Sequence, residues 1–216
     1  TVNVDDLVEV VLPWGECARG LSNDDCAGAI ALQVALAPAP PAANNYSNAD
    51  ATNGSVPGPT ACLSGGPTNF TRDVWFKHTV PTGPDLAGHI LTFHLCATPD
   101  PFINTVLAAY TGSCASLTLI ECNDNAPTCG SNNLRSRIAT ELIAPGTTVF
   151  IRVGSWSTSA TNQGPFVLSA QAQAITNDQC LGAVEIPIGG SVSGSLEDAT
   201  QDFAESGDGV SMGRSN

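Results

Sequence analysis

The side chains with chemical reach in this sequence are three histidines, eight cysteines and a scatter of Asp and Asn near predicted strand ends. His78, His89 and His94 fall in alternating apolar and polar runs, and His78 shares a strand face with Val74 and Phe76. That setting describes packed, hydrogen-bonded imidazoles better than a general base. Serine is plentiful, yet no Gly-x-Ser-x-Gly elbow stands between a strand and a helix. There is no HExxH, Walker loop or dinucleotide fingerprint either, so the chain reads as a non-enzyme.

Asp24, Asp25, Asn104, Asn123 and Asp124 are hard oxygen donors in predicted loops, and calcium takes such oxygens in shells of about six to eight. Calcium is the one cofactor these residues suggest. Turn chemistry competes with it, because Asn and Asp at strand ends also bond their own backbone, and no spacing here matches a known calcium loop.

With no CxxC pair and no Cys/His cluster at zinc spacing, the cysteines point to disulfides and an extracellular setting. Proximity along the chain suggests Cys122 with Cys129 around a short Asn/Pro loop. It also suggests Cys26 with Cys62 across a loop-rich stretch, and Cys96 with Cys114 around one strand and its turn. Cys17 and Cys180 are left. Cys180 then bonds Cys17, nothing, or a cysteine of another chain.

One stretch occurs twice. Asn23-Asp24-Asp25-Cys26-Ala27-Gly28-Ala29-Ile30 returns as Asn177-Asp178-Gln179-Cys180-Leu181-Gly182-Ala183-Val184. A second echo follows each copy, Asp50-Ala51-Thr52-Asn53 and then Asp198-Ala199-Thr200-Gln201. The second interval is shorter, which fits Ala37–Ala42 as an insertion in the first copy. A repeat so spaced predicts one full module and the opening of another. The expected division is an N-terminal extension over 1–22, a module over 23–175 and a partial second copy over 176–216.

Alternation organises the module. Ile30, Leu32, Val34 and Leu36 predict a first strand, and the proline-bearing Ala37–Ala42 tract a stiff loop outside any ladder. Low-order sequence continues to Thr71. Strands are expected around Val74–Val80, Leu91–Leu95, Val106–Tyr110, Leu117–Ile120, Leu134–Ile143, Val149–Val153 and Phe166–Ala174. In the Val149 strand, Val149, Ile151 and Val153 point one way and Phe150 and Arg152 the other. About nine such strands separated by Gly/Pro turns make an all-β, antiparallel, jelly-roll-like sandwich.

The flanks carry strand-forming residues as well: Val8, Val10 and Leu12 before the module, and Val184, Ile186 and Ile188 after it. A net charge of −13, with only seven Lys and Arg, argues against nucleic acid and anionic membrane surfaces as partners. No segment approaches the roughly 20 apolar residues of a membrane span. Sequons at Asn45, Asn53 and Asn69 make glycosylation a candidate modification in a stretch read as surface loop. The opening at Thr1, without a signal-like segment, suggests a mature or excised secreted product.

Five motifs follow in order: Asn23–Ala29, Asp73-Val74-Trp75-Phe76, Thr105–Cys114, Cys122-Asn123-Asp124 and Gly146–Val153. Together they resemble the secreted β-sandwich modules related to bacterial pre-peptidase C-terminal domains, over roughly Asn23 to Ala174 and again from Asn177. The resemblance implies an extracellular, non-catalytic module, often tandem and often attached to larger secreted proteins. Such modules commonly carry Asp before the Thr-Val-Leu segment, where this chain has Asn104.

Two functions follow. The first is a structural subunit of an extracellular filament or surface appendage, whose partners are copies of itself joined head-to-tail by strand complementation. The second is a carbohydrate-binding, adhesion or spacer module of a secreted multidomain protein, with glycans as partners and Trp14, Trp75 and Trp156 as a stacking face. An arrangement within one chain also satisfies the flanks, with the leading strand packed on the trailing hairpin and Cys17 bonded to Cys180.

Overall fold

The computed structural model describes residues 21–54, 56–59, 62, 70–83, 86–100, 102–129, 134–159 and 162–176, with isolated positions between Ala183 and Ser191. Val8, Val10, Leu12, Cys17, Asn69, Cys180 and Val184 lie outside the described residues, as does most of the partial second copy.

The protein is all-β. Among the described residues ten strands run in order: β1 (Ile30–Ala31), β2 (Ala35–Leu36), β3 (Ala42–Ser47), β4 (Thr71–Thr79), β5 (Leu86–His94), β6 (Thr105–Ser113), β7 (Ser116–Asn123), β8 (Arg137–Ile143), β9 (Thr148–Ser155) and β10 (Pro165–Thr176). One sheet has the order β1-β4-β9-β6-β7. The other has the order β2-β10-β5-β8, with β3 also paired to β10. The alternating residues set this up: Val74, Phe76, Leu107, Ala109, Ile151 and Val153 of the first sheet meet Leu91, Phe93, Ile138, Leu168 and Ala172 of the second in one core. Tyr46 of β3 seals its edge, its ring centroid 4.4 Å from that of Phe76.

Turn chemistry closes the hairpins where the glycines predict. Gly112 (φ 95°) precedes the β6–β7 turn, and Gly146 (φ 77°) follows Pro145 between β8 and β9.

Three local expectations change. The run Ile30–Leu36 is two strands in different sheets: β1 pairs parallel with β4, and β2 pairs parallel with β10. The sandwich is therefore mixed at two edges. Leu32 drops into the core at the crossing, which keeps the hydrophobic period while the ladder changes partner. The stretch read as loop up to Thr71 contains β3, whose six residues pair antiparallel with β10. Finally, Ala37 donates its N–H to Ala172 O at 2.8 Å, and Ala42 opens β3, so the loop proper is confined to the proline-bearing residues between them.

The first sheet is covered on both faces. Behind the main core lies a second cluster of Phe70, Trp75, Val106, Ala108 and Tyr110 with Cys26 and Cys62. All six residues from Thr105 to Tyr110 are consequently buried. This covered outer face receives the repeated motif.

Candidate functional site

The residues that recur in the two copies converge, in the first, on the start of β4. Asn23 splices itself to that strand through two bonds: its carbonyl accepts the Trp75 N–H at 2.8 Å, and its Nδ2 donates to Trp75 O at 3.2 Å. The Asp24 carboxylate accepts from Thr52 N and Thr52 Oγ1, each at 2.6 Å, which joins the first echo to the second. Asn53 Oδ1 takes the Arg72 N–H, while the Arg72 guanidinium donates to Ala49 O and Ala51 O. Arg72 adopts φ 50°, within the register shift between Thr71 and Val74. Such a bulge turns a strand locally.

The remaining repeated positions are equally constrained. Gly28 sits against the Ser22 carbonyl, leaving no space for a Cβ. Cys26 is bonded to Cys114 at the end of the β6–β7 hairpin. Ala29 and Ala51 are buried, at 6% and 0% exposure. Beyond them β1 pairs with Phe76 and Lys77 of β4, and Leu32 N–H reaches Lys77 O at 2.8 Å. The motif is thus a docking device, and its acceptor is β4.

Beneath it lies a buried ion pair. Asp73 Oδ2 accepts from Arg152 Nε at 2.8 Å and from Trp75 Nε1 at 3.0 Å, while Oδ1 accepts from Gly54 N at 2.8 Å. Both partners are fully buried. The Arg152 guanidinium lies 4.4 Å from the Phe70 ring centroid and 5.1 Å from that of Trp75, with Pro57 O as a further acceptor at 3.3 Å. Gly154 is bare because Phe70 fills the position of its missing side chain. Burial pushes the adjoining Tyr110 phenol up, and the Arg152 charge acts the other way. The sequence placed Arg152 opposite Ile151, but not inside a second core. The available signal was a lone charge among β-branched residues on a strand partnered by Asp-Val-Trp.

The calcium candidates separate. Asp24 is engaged by Thr52, and Asp25 is exposed. Asn123 Oδ1 accepts the Arg137 N–H. Asn104 and Asp124 differ: among the described residues each has a buried side-chain oxygen without a hydrogen-bond partner. Burial pushes the Asp124 carboxyl up to about 6. No cluster of three or more His, Cys, Asp or Glu that could hold a metal occurs among the described residues.

The three histidines lie on strands with lowered pKa values, burial being the main cause for each. At His78 the His89 charge adds to the lowering by burial. Trp75 is 1% exposed and offers no stacking surface. Asn45 is exposed on β3 rather than in a loop, and Asn53 is exposed with its amide oxygen engaged by Arg72.

All six candidate cysteines within the module are bridged, but none of the three expected pairs forms. The bonds are Cys26–Cys114, Cys62–Cys122 and Cys96–Cys129. Nearness in sequence misled because Cys26 and Cys62 both pack on the outer cluster formed by β6 and β7 residues. The register puts Cys122 beside Ala108, beneath the segment that carries Cys62. These bridges mark a protein that folds in an oxidising compartment, as secreted proteins do. Among the described residues no helix is long and apolar enough to cross a membrane.

No family model matches the chain, and no curated protein matches it. Among solved structures, it is similar to Aeromonas hydrophila PliG, a periplasmic lysozyme inhibitor of g-type lysozyme, at 13% identity and a TM-score of 0.37. The match covers 67% of this chain and 96% of that one. A likeness of that strength carries no part of the argument below.

Proposed function

We propose that the protein is a structural subunit of an extracellular filament or surface appendage, joined head-to-tail by strand complementation between copies. The observation that carries this reading is the contrast between matching positions of the two copies. Leu32 is 5% exposed in the core, and Val34 packs against that core. Their counterparts Ile186 and Ile188 are 59% and 108% exposed. In the first copy these positions are covered because β1 docks on β4.

A docking motif with exposed apolar residues calls for an acceptor strand. Strand addition would pair its backbone N–H and C=O groups and bury alternate side chains. Val8, Val10 and Leu12 of a neighbouring copy have the period for that role. Donor and acceptor surfaces differ, so the contact does not close on itself and propagates as a fibre. Disulfide bridges across the covered face suit a durable external polymer.

The test compares the full oxidised chain with a chain ending at Thr176, by sedimentation and electron microscopy. The full chain should form large linear assemblies, and the shortened one a folded monomer. A monomeric full chain would overturn the filament and return the protein to the class of binding or spacer modules.

A further inference from the structure

β7 ends the first sheet, and among the described residues it pairs with β6 alone. Sheet edges are normally blunted by short strands, prolines, bulges or charges. Other edges of this sandwich follow that rule: β1 and β2 are two residues long, and β8 carries Arg137 and Glu141 at exposed positions. β7 has no proline and no basic residue. A register shift beyond Leu119, and the Glu121 carboxylate that takes the Cys122 N–H at 2.8 Å, guard only its far end. Ser116-Leu117-Thr118-Leu119-Ile120 is left open, with Leu119 37% exposed.

Both faces of that stretch adjoin apolar clusters. Leu117 packs against the outer cluster and Ile120 against the main core, so a strand laid beside them would extend both. Leu119 shares the face of Leu117. The topology also brings the trailing copy here. β10 ends at Thr176, opposite Leu86 at the start of β5, and His89 of β5 faces Ile143 at the end of β8. β9 opens just after that turn, and its Phe150 faces Tyr110, close to the β6–β7 hairpin. The trailing copy therefore leaves the sandwich at the end where β7 begins.

We propose that the open edge of β7 seats the leading strand Val8–Leu12 of a neighbouring copy, an inference that rests on the filament reading above. Val8-Glu9-Val10-Val11-Leu12 is rich in valine, free of Pro and Gly, and about 16 Å long when extended, which matches Ser116–Ile120. Val8, Val10 and Leu12 on one face suit Leu117 and Leu119, and Val11 on the other suits Ile120. The trailing Val184–Ile188 is the poorer fit to β7, because Pro187 has no N–H to donate and belongs on an outer edge. The order across the junction is then β6, β7, the neighbour's leading strand and the trailing segment. A strand has two edges: one meets β7 and the other the trailing copy, and the junction needs both.

The experiment sediments full oxidised chains, with circular dichroism checking the fold of each variant. The wild type should form large assemblies. Leu119→Lys, which puts a charge on the acceptor edge, and Val10→Lys, which puts one on the donor, should each stay folded and lose the sedimenting material. Mixed in equal amounts, the two should form a one-to-one dimer, since the Val10→Lys chain keeps an intact β7 and the Leu119→Lys chain an intact leading strand. If Leu119→Lys does not fold, amide exchange still decides: residues 117–121 should exchange roughly tenfold or more slowly in wild-type assemblies than in the Val10→Lys chain. Normal assembly of Leu119→Lys, a mixture that stays monomeric, or equal exchange at 117–121 would overturn the seat on β7 and leave the filament standing. A monomeric wild type would overturn the filament, and this inference with it.

Discussion

Replacing Asp73 by Ala should be among the most damaging single substitutions in the sandwich. The carboxylate holds Arg152 Nε, Trp75 Nε1 and Gly54 N, all within 3.0 Å. Its removal leaves a fully buried guanidinium with two aromatic rings and the Pro57 carbonyl for company. Breaking a buried pair by deleting one partner costs about 3–5 kcal/mol, most of it the uncompensated charge. Cation–π contact with Phe70 and Trp75 offsets only about 1–2 kcal/mol of that. The double variant Asp73→Ala/Arg152→Met removes the stranded charge and should recover about 2 kcal/mol relative to the single change. Urea denaturation of the oxidised proteins measures this directly. With a slope of about 2 kcal/mol per molar, Asp73→Ala should lower the midpoint by about 2 M at unchanged slope. A loss below about 1 kcal/mol, or a double variant worse than the sum of its parts, would refute the view that this pair is one coupled unit.

Two further outcomes are expected. Non-reducing peptide mapping should recover Cys26–Cys114, Cys62–Cys122 and Cys96–Cys129, and loss of any one bridge should cost about 2–5 kcal/mol; a peptide linking Cys122 to Cys129 would contradict the fold of the outer face. Because burial lowers the pKa of His78 and His89 from 6.5, the unfolded chain binds protons first, so stability should fall as pH drops below 6.5 and through the lowered values. His89→Gln should flatten that slope, and an unchanged slope would show that the imidazole is not held neutral by the fold.

The long strands were legible because one face of each is uniformly apolar. Val149, Ile151 and Val153, or Leu91 and Phe93, leave little choice of period or face. What escaped was set by partners distant in sequence. Ala42–Ser47 has no strand-forming composition, and it becomes β3 because β10 offers an open ladder with Tyr46 turned to Phe76. Ile30–Leu36 has flawless alternation, yet it changes sheets midway, since alternation records burial and says nothing about which strand lies alongside. The docking role of Asn23, Asp24 and Thr52 was half visible. Their recurrence marked them, but only the structure links Asp24 to Thr52 and Asn23 to Trp75. Arg152 was placed on the face opposite Ile151, but that this face is itself buried depends on Phe70, Trp75 and Tyr110 packing with the bridged Cys26 and Cys62.

The central claim is that the second copy of the docking motif is completed by another molecule. A reconstruction of the native assembly by electron cryomicroscopy tests it most directly. It should place residues 177–201 against a strand of a neighbouring subunit, with Asp178 engaging Thr200 as Asp24 engages Thr52, and with Ile186 and Ile188 buried at the junction. Residues 177–201 folded back on the leading strand of their own chain, closed by a Cys17–Cys180 bond within one molecule, would contradict it.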